Sequence, residues 1–125
     1  MKKQAGNHYR IDIGKWGEDC ACQFLTMHGL NLIDRNVRTP YGEIDLVMDL
    51  AGLTVFVEVK TRSNLASGYP EESVTDDKMD RMSDCAQWFM ETQDKNEEPW
   101  RVDVVAIIGR PKNVNPQIEW FQNEF

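Results

Sequence analysis

Two strand-period segments joined by a tight turn constrain this chain more than any other feature. Residues 43–49 (EIDLVMD) and 53–60 (LTVFVEVK) flank Ala51-Gly52. Strand side chains alternate between faces, and a two-residue turn at Ala51-Gly52 sets Leu50 opposite Leu53 and Asp45 opposite Glu58. One face then carries Ile44, Leu46, Met48 and Leu50 against Leu53, Val55, Val57 and Val59, all apolar. The other carries Glu43, Asp45, Val47 and Asp49 against Thr54, Phe56, Glu58 and Lys60. A one-residue slip would mix the two faces, so this register is the one the pattern selects.

The second face holds the chemistry. Glu43 faces Lys60, a favourable pair. Asp45 faces Glu58, which brings two carboxylates to Cβ separations of about 4.5–5.5 Å, and like charges across a ladder are destabilising. A divalent cation between them would reverse that sign. Mg²⁺ or Mn²⁺ suits oxygen donors of this kind, with waters and substrate phosphate completing the shell. Lys60 lies two residues from Glu58, hence on the same face, where its ammonium could hold a water or offset charge on a phosphate. The competing reading is an amphipathic hairpin whose charges face water. Val47 and Phe56 argue that the charged face is partly covered.

Around the hairpin the sequence predicts a helix over 14–28, ended by Gly29 as the residue after the cap. A strand follows over Leu30–Val37, then a Thr39-Pro40-Tyr41-Gly42 turn. Ser63 to Pro70 reads as a loop. Thr75 reads as an N-cap, and Met79, Met82, Cys85, Ala86, Phe89 and Met90 form one apolar face of a second helix. Val102–Ile108 reads as a buried strand, and Gln117–Phe121 as a final edge strand. The expected architecture is α/β, with a mixed central sheet flanked by helices in the order α-β-β-β-α-β. Residues 1–10 are expected to be a flexible lead-in, and 11–125 a single domain.

Charge is segregated. Residues 71 to 98 carry ten acidic side chains against three basic ones, which accounts for the whole net charge of −7. An acidic balance opposes non-specific nucleic-acid binding, but here one helical segment carries it. Three cysteines (Cys20, Cys22 and Cys85) without a CxxC pair argue against a disulfide framework and a zinc ribbon. No apolar run is long enough to span a bilayer. The N-terminal Lys2 and Lys3 precede no apolar stretch, so no signal peptide is expected. The expected location is the cytoplasm, with no membrane association. His28 is expected to act at its helix end and His8 has no evident partner. Glu18 reads either as an early-helix acid complementing the dipole or as an acid aimed inward from the apolar stripe of Ala21 and Leu25.

Gly42-Glu-Ile-Asp45 followed by Phe56-Val-Glu58-Val-Lys60-Thr-Arg62 resembles the PD-(D/E)XK nuclease signature. The chain is more closely similar to the YraN family of uncharacterised endonuclease-like proteins. That likeness takes in Gly17-Glu18 with Ala21 and Leu25, then Arg35-Asn36, and the 42–46 and 56–62 blocks. It continues through Lys78 and residues 101–105 to Phe125. The resemblance implies a restriction-endonuclease-like fold, with Asp45 and Glu58 as metal ligands, Glu18 as an accessory ligand and Lys60 as the catalytic lysine. Arg35, Arg38, Arg62 and Lys78 are candidates for substrate phosphate. The expected activity is Mg²⁺- or Mn²⁺-dependent cleavage of nucleic acid, with DNA as the expected substrate. The alternative is a non-catalytic nucleic-acid-binding module of the same fold, or one whose basic surface comes from a protein partner.

Overall fold

The computed structural model describes residues 12–62, 76–112 and 115–123, with side chains of the second helix described from residue 80 onward. The 1–10 lead-in, His8, the 63–70 loop, Thr75 and Phe125 lie outside the described residues, as do the side chains of Lys78 and Met79.

Helix α1 spans Ile13–Met27. Asp12 caps its start by accepting from Lys15 N at 3.1 Å, which satisfies one of the open N–H groups of the first turn. Its end is a Schellman motif. Gly29 N donates to Thr26 O and Leu30 N to Leu25 O, both at 3.1 Å, with Gly29 at φ +96°. His28 is the C-cap residue, and its Nδ1 lies 2.8 Å from Phe24 O, as the helix-end reading anticipated.

Strands β1 (Asn31–Thr39), β2 (Gly42–Leu50) and β3 (Leu53–Arg62) form a meander. Helix α2 (Asp76–Thr92) precedes β4 (Trp100–Ile108), which lies parallel to β3, and β5 (Gln117–Phe121) closes the sheet antiparallel to β4. The spatial order is β1-β2-β3-β4-β5. This is the mixed α/β architecture that the pattern and the restriction-endonuclease-like resemblance implied, with the final edge strand formed. Ala51 and Gly52 both take positive φ, 50° and 96°, the backbone of a type I′ hairpin. The resulting pairs run from Leu50–Leu53 to Leu46–Val57, in the anticipated register.

The helices cover opposite faces of the sheet. Ala21 and Leu25 of α1 pack with Leu46, Met48, Val55, Val57, Val105 and Ile107. Cys85, Ala86, Phe89 and Met90 of α2 pack with Ile44, Val47, Phe56 and Val102. The water-facing hairpin reading therefore fails for Val47 and Phe56, which are buried under α2. Gly17 lets α1 approach β3 closely, since a Cβ there would collide with the Thr61 hydroxyl. Gly17→Ala is expected to lower stability by roughly 1–2 kcal/mol in denaturant melts, overpacking outweighing the gain in helix propensity. Unchanged stability would mean that α1 is free to shift.

Candidate metal and nuclease site

The β2–β3 ladder opens at Asp45, and this opening builds the site. On the β1 side the ladder pairs Arg35 with Leu46 and then Val37 with Ile44, passing over Asn36 and Asp45. Asn36 adopts φ 49°, a left-handed conformation that asparagine tolerates better than most residues. On the β3 side pairing stops at Leu46–Val57. Ile44 consequently packs on the α2 face while Leu46 packs on the α1 face. Strict alternation would have put both on one face, so the sequence-based placement of Ile44 with Leu46 and Met48 is corrected here. The expected Glu43–Lys60 and Asp45–Glu58 ladder pairs are likewise absent from the described register.

The Asp45 carboxylate fills the gap that the parted strands leave. Its Oδ2 accepts from Val59 N at 2.8 Å. That N–H, opposite the departed Ile44, would otherwise lack its cross-strand partner. Burial, followed by the Glu58 charge, pushes the Asp45 carboxyl up from 3.8 to about 7; the Val59 N–H opposes the shift, and Glu18 and Glu43 add smaller raising contributions. Lys60 Nζ sits 3.1 Å from Glu58 Oε2, with both side chains only 13% exposed. The signature residues are thus one electrostatic unit, although the ladder does not pair them.

Asp45 and Glu58 line a cavity of about 320 Å³ with Tyr41, Gly42, Glu43, Arg81, Met82 and Cys85. Two carboxylates that repel each other in a partly dry site are a hard-oxygen donor set of the kind Mg²⁺ and Mn²⁺ accept. Among the described residues, no three His, Cys, Asp or Glu side chains stand together in a metal-holding group. The candidate donor set is therefore the Asp45–Glu58 pair. Glu18 is 16% exposed, and its Oε1 is engaged by Asn36 Nδ2 at 3.0 Å and Arg35 Nη2 at 3.5 Å.

The basic candidates are dispersed. Arg35 pairs with Asp19 at 2.8 Å and so ties β1 to α1. Burial works against the Asp19 charge, but Arg35 and Lys15 outweigh it and hold that carboxyl below its ordinary value. Arg38 is exposed opposite Glu43. Arg62, at the end of β3, donates from Nη1 to Thr61 O at 3.0 Å. Arg81 lines the cavity and was missed. Its signal in the sequence was its position four residues before Cys85, at the margin of the apolar stripe of α2.

Asp45→Asn tests the strain directly. Between about pH 4 and pH 7 the folded protein retains a proton on Asp45 that the unfolded chain has lost. Stability therefore falls as pH rises through that window, and the penalty is complete above it. The variant is expected to be more stable relative to the parent at pH 8 than at pH 5, by roughly 2 kcal/mol. Denaturant melts at the two pH values would check it, and equal differences at both would contradict the assigned strain.

Among the described residues no helix is long and apolar enough to cross a membrane. The sequence profile of the uncharacterised protein family UPF0102 matches residues 17–107. A UPF0102 protein of Syntrophotalea carbinolica is 36% identical over 118 residues, covering 94% of each chain. One from Clavibacter michiganensis is 43% identical over 108 residues, covering 86% of this chain and 91% of its own. One from Rhodococcus opacus is 41% identical over 118 residues, covering 94% and 98%. The matched span runs from the close-packed Gly17 of α1 through both halves of the opened hairpin to β4, and the chain belongs to the uncharacterised protein family UPF0102, the YraN family of the sequence resemblance.

Proposed function

We propose that this protein is a metal-dependent nuclease that hydrolyses phosphodiester bonds in nucleic acid, with DNA as the expected substrate. The observation that carries the reading is the electrostatic unit at the opened ladder, in which the partly buried Asp45 is pushed to about 7 beside Glu58 while Lys60 contacts Glu58 at 3.1 Å. Such a strained carboxylate pair is more costly to keep than an apolar one, and binding a dication would offset that cost.

In this reading Asp45 and Glu58 hold Mg²⁺ or Mn²⁺, with Val59 N–H fixing the Asp45 carboxylate. The ion would supply Lewis acidity toward the scissile phosphate and lower the pKa of a bound water. Lys60, positioned by Glu58, orients the attacking water or offsets charge developing on the phosphate. Glu18 acts through Asn36 and Arg35, positioning the β1 edge beside Asp45. A second reading is a non-catalytic nucleic-acid-binding module of the same fold, and the net charge of −7 favours one whose basic surface comes from a protein partner.

A cleavage screen over single-stranded, duplex and branched DNA and RNA separates the two. Purified protein is expected to cut at least one substrate in Mg²⁺ or Mn²⁺ and none in EDTA. Silence across the whole screen in both metals would overturn the nuclease reading.

A further inference from the structure

The cavity that holds Asp45 and Glu58 has two features that the metal chemistry does not use. Tyr41 stands at its border on the two-residue β1–β2 turn, and Arg81 faces it from α2. Tyr41 is 50% exposed, yet its backbone is tied down. Tyr41 N donates to Thr39 Oγ1 at 3.0 Å, and that hydroxyl lies 2.8 Å from Gly42 O and 3.1 Å from Cys85 Sγ of α2. A half-exposed aromatic on an anchored backbone loses only its own side-chain freedom when a flat ligand covers it. Arg81 is the cation among the described lining residues, set against the acids Glu43, Asp45 and Glu58. A cavity of about 320 Å³ falls at the small end of ligand pockets, which run from roughly 300 to 1,000 Å³.

These features select among nucleic acids. Duplex DNA carries a charge for about every 1.7 Å of its axis, and a single strand carries half that linear density. An acid-rich cavity with one arginine penalises the duplex more. A base held in a duplex offers no free face, whereas an unpaired base can stack on an aromatic ring. We propose that the cavity admits an unpaired nucleotide, its base stacked on Tyr41 and an adjoining phosphate paired with Arg81, so that the phosphodiester is presented to Asp45 and Glu58. The proposal rests on the nuclease reading of the same site and adds the substrate class: single-stranded or locally unpaired nucleic acid.

The test is fluorescence anisotropy of the full chain with a labelled oligothymidine and with a labelled duplex, in Ca²⁺ so that binding is read without cutting. The single strand is expected to bind more tightly. Tyr41→Ala should weaken single-strand binding about tenfold or more, with Tyr41→Phe near the parent. Arg81→Gln should reduce the salt slope by about one phosphate contact. Tyr41 lies on an exposed turn, and circular dichroism would verify that each variant is folded. Unchanged single-strand affinity in Tyr41→Ala, an equal loss for duplex, a parental preference for duplex or no binding at all would each overturn the proposal. The two readings fail separately. Metal-dependent cutting with Tyr41-independent binding overturns only the substrate class, and Tyr41-dependent binding without any cutting overturns only the nuclease.

Discussion

Glu58→Gln and Lys60→Ala are each expected to reduce metal-dependent cleavage at least about a hundredfold, the scale seen when one preorganised charge is removed from a reaction centre. They should do so for different reasons. Glu58→Gln keeps shape but removes a charged oxygen donor, so stabilisation of the fold by Mn²⁺ should fall together with activity. It also removes the second-ranked cause of the raised Asp45 pKa but strips Lys60 of the carboxylate it contacts at 3.1 Å, so the readout is the metal-dependent shift in melting and not the metal-free melting temperature. Lys60→Ala leaves both carboxylates in place. Metal-dependent stabilisation should then persist while turnover is lost. Thermal melts with and without millimolar Mn²⁺, run beside the cleavage assay, give both readouts. A contaminating nuclease would ignore both substitutions, so retained cutting in the two variants would remove the activity from this site.

The hairpin was legible because its information is local. The apolar residues of 43–50 and 53–59 fit only one register, and Ala51-Gly52 can supply the positive φ values that the turn needs. The same alternation misplaced Ile44. Beside the opening at Asp45, Asn36 of the neighbouring strand adopts φ 49°, and no periodicity within 43–49 reports that. The sequence therefore brought Asp45 and Glu58 together for a reason that proved incomplete. They meet at the cavity where the ladder has opened, and the Asp45 carboxylate serves Val59 N in place of a backbone partner. Arg81 was hidden by its surroundings, since the acidic excess of 71–98 reads as one solvated face until α2 is laid on the sheet. Glu18 was left between two readings because its deciding partners, Arg35 and Asn36, sit on a different element.

Asp103→Ala is expected to be the most destabilising substitution considered, costing about 3–5 kcal/mol, because it leaves the partly buried Arg101 without its counter-charge and the Trp120 and Asn123 N–H groups without their acceptor. Asp103 is 0% exposed on β4, the strand beside the β5 edge. Its Oδ1 accepts from Arg101 Nε at 3.0 Å and from Asn123 N at 2.7 Å. Its Oδ2 accepts from Arg101 Nη2 at 3.1 Å and from Trp120 Nε1 at 2.8 Å. Four donors thus converge on two oxygens and join β4 to β5 and the turn after it. Asp103→Asn should cost nearly as much, since an amide accepts at only one end and turns its NH₂ toward two donors. Adding Arg101→Met to Asp103→Ala should recover part of the loss, because the unpaired charge is then gone. Denaturant midpoints across the three variants measure it, and a loss below about 1 kcal/mol in Asp103→Ala would refute the assignment. The contrast with Asp45 separates structure from chemistry in this sheet. Both are acids drawn out of water on interior strands, but Asp103 is surrounded by donors that stabilise its charge. Asp45 has one backbone N–H against burial and three neighbouring carboxylates. Only the second arrangement leaves repulsion that a cation would offset, and for that reason the proposed chemistry is placed at Asp45 and not at Asp103.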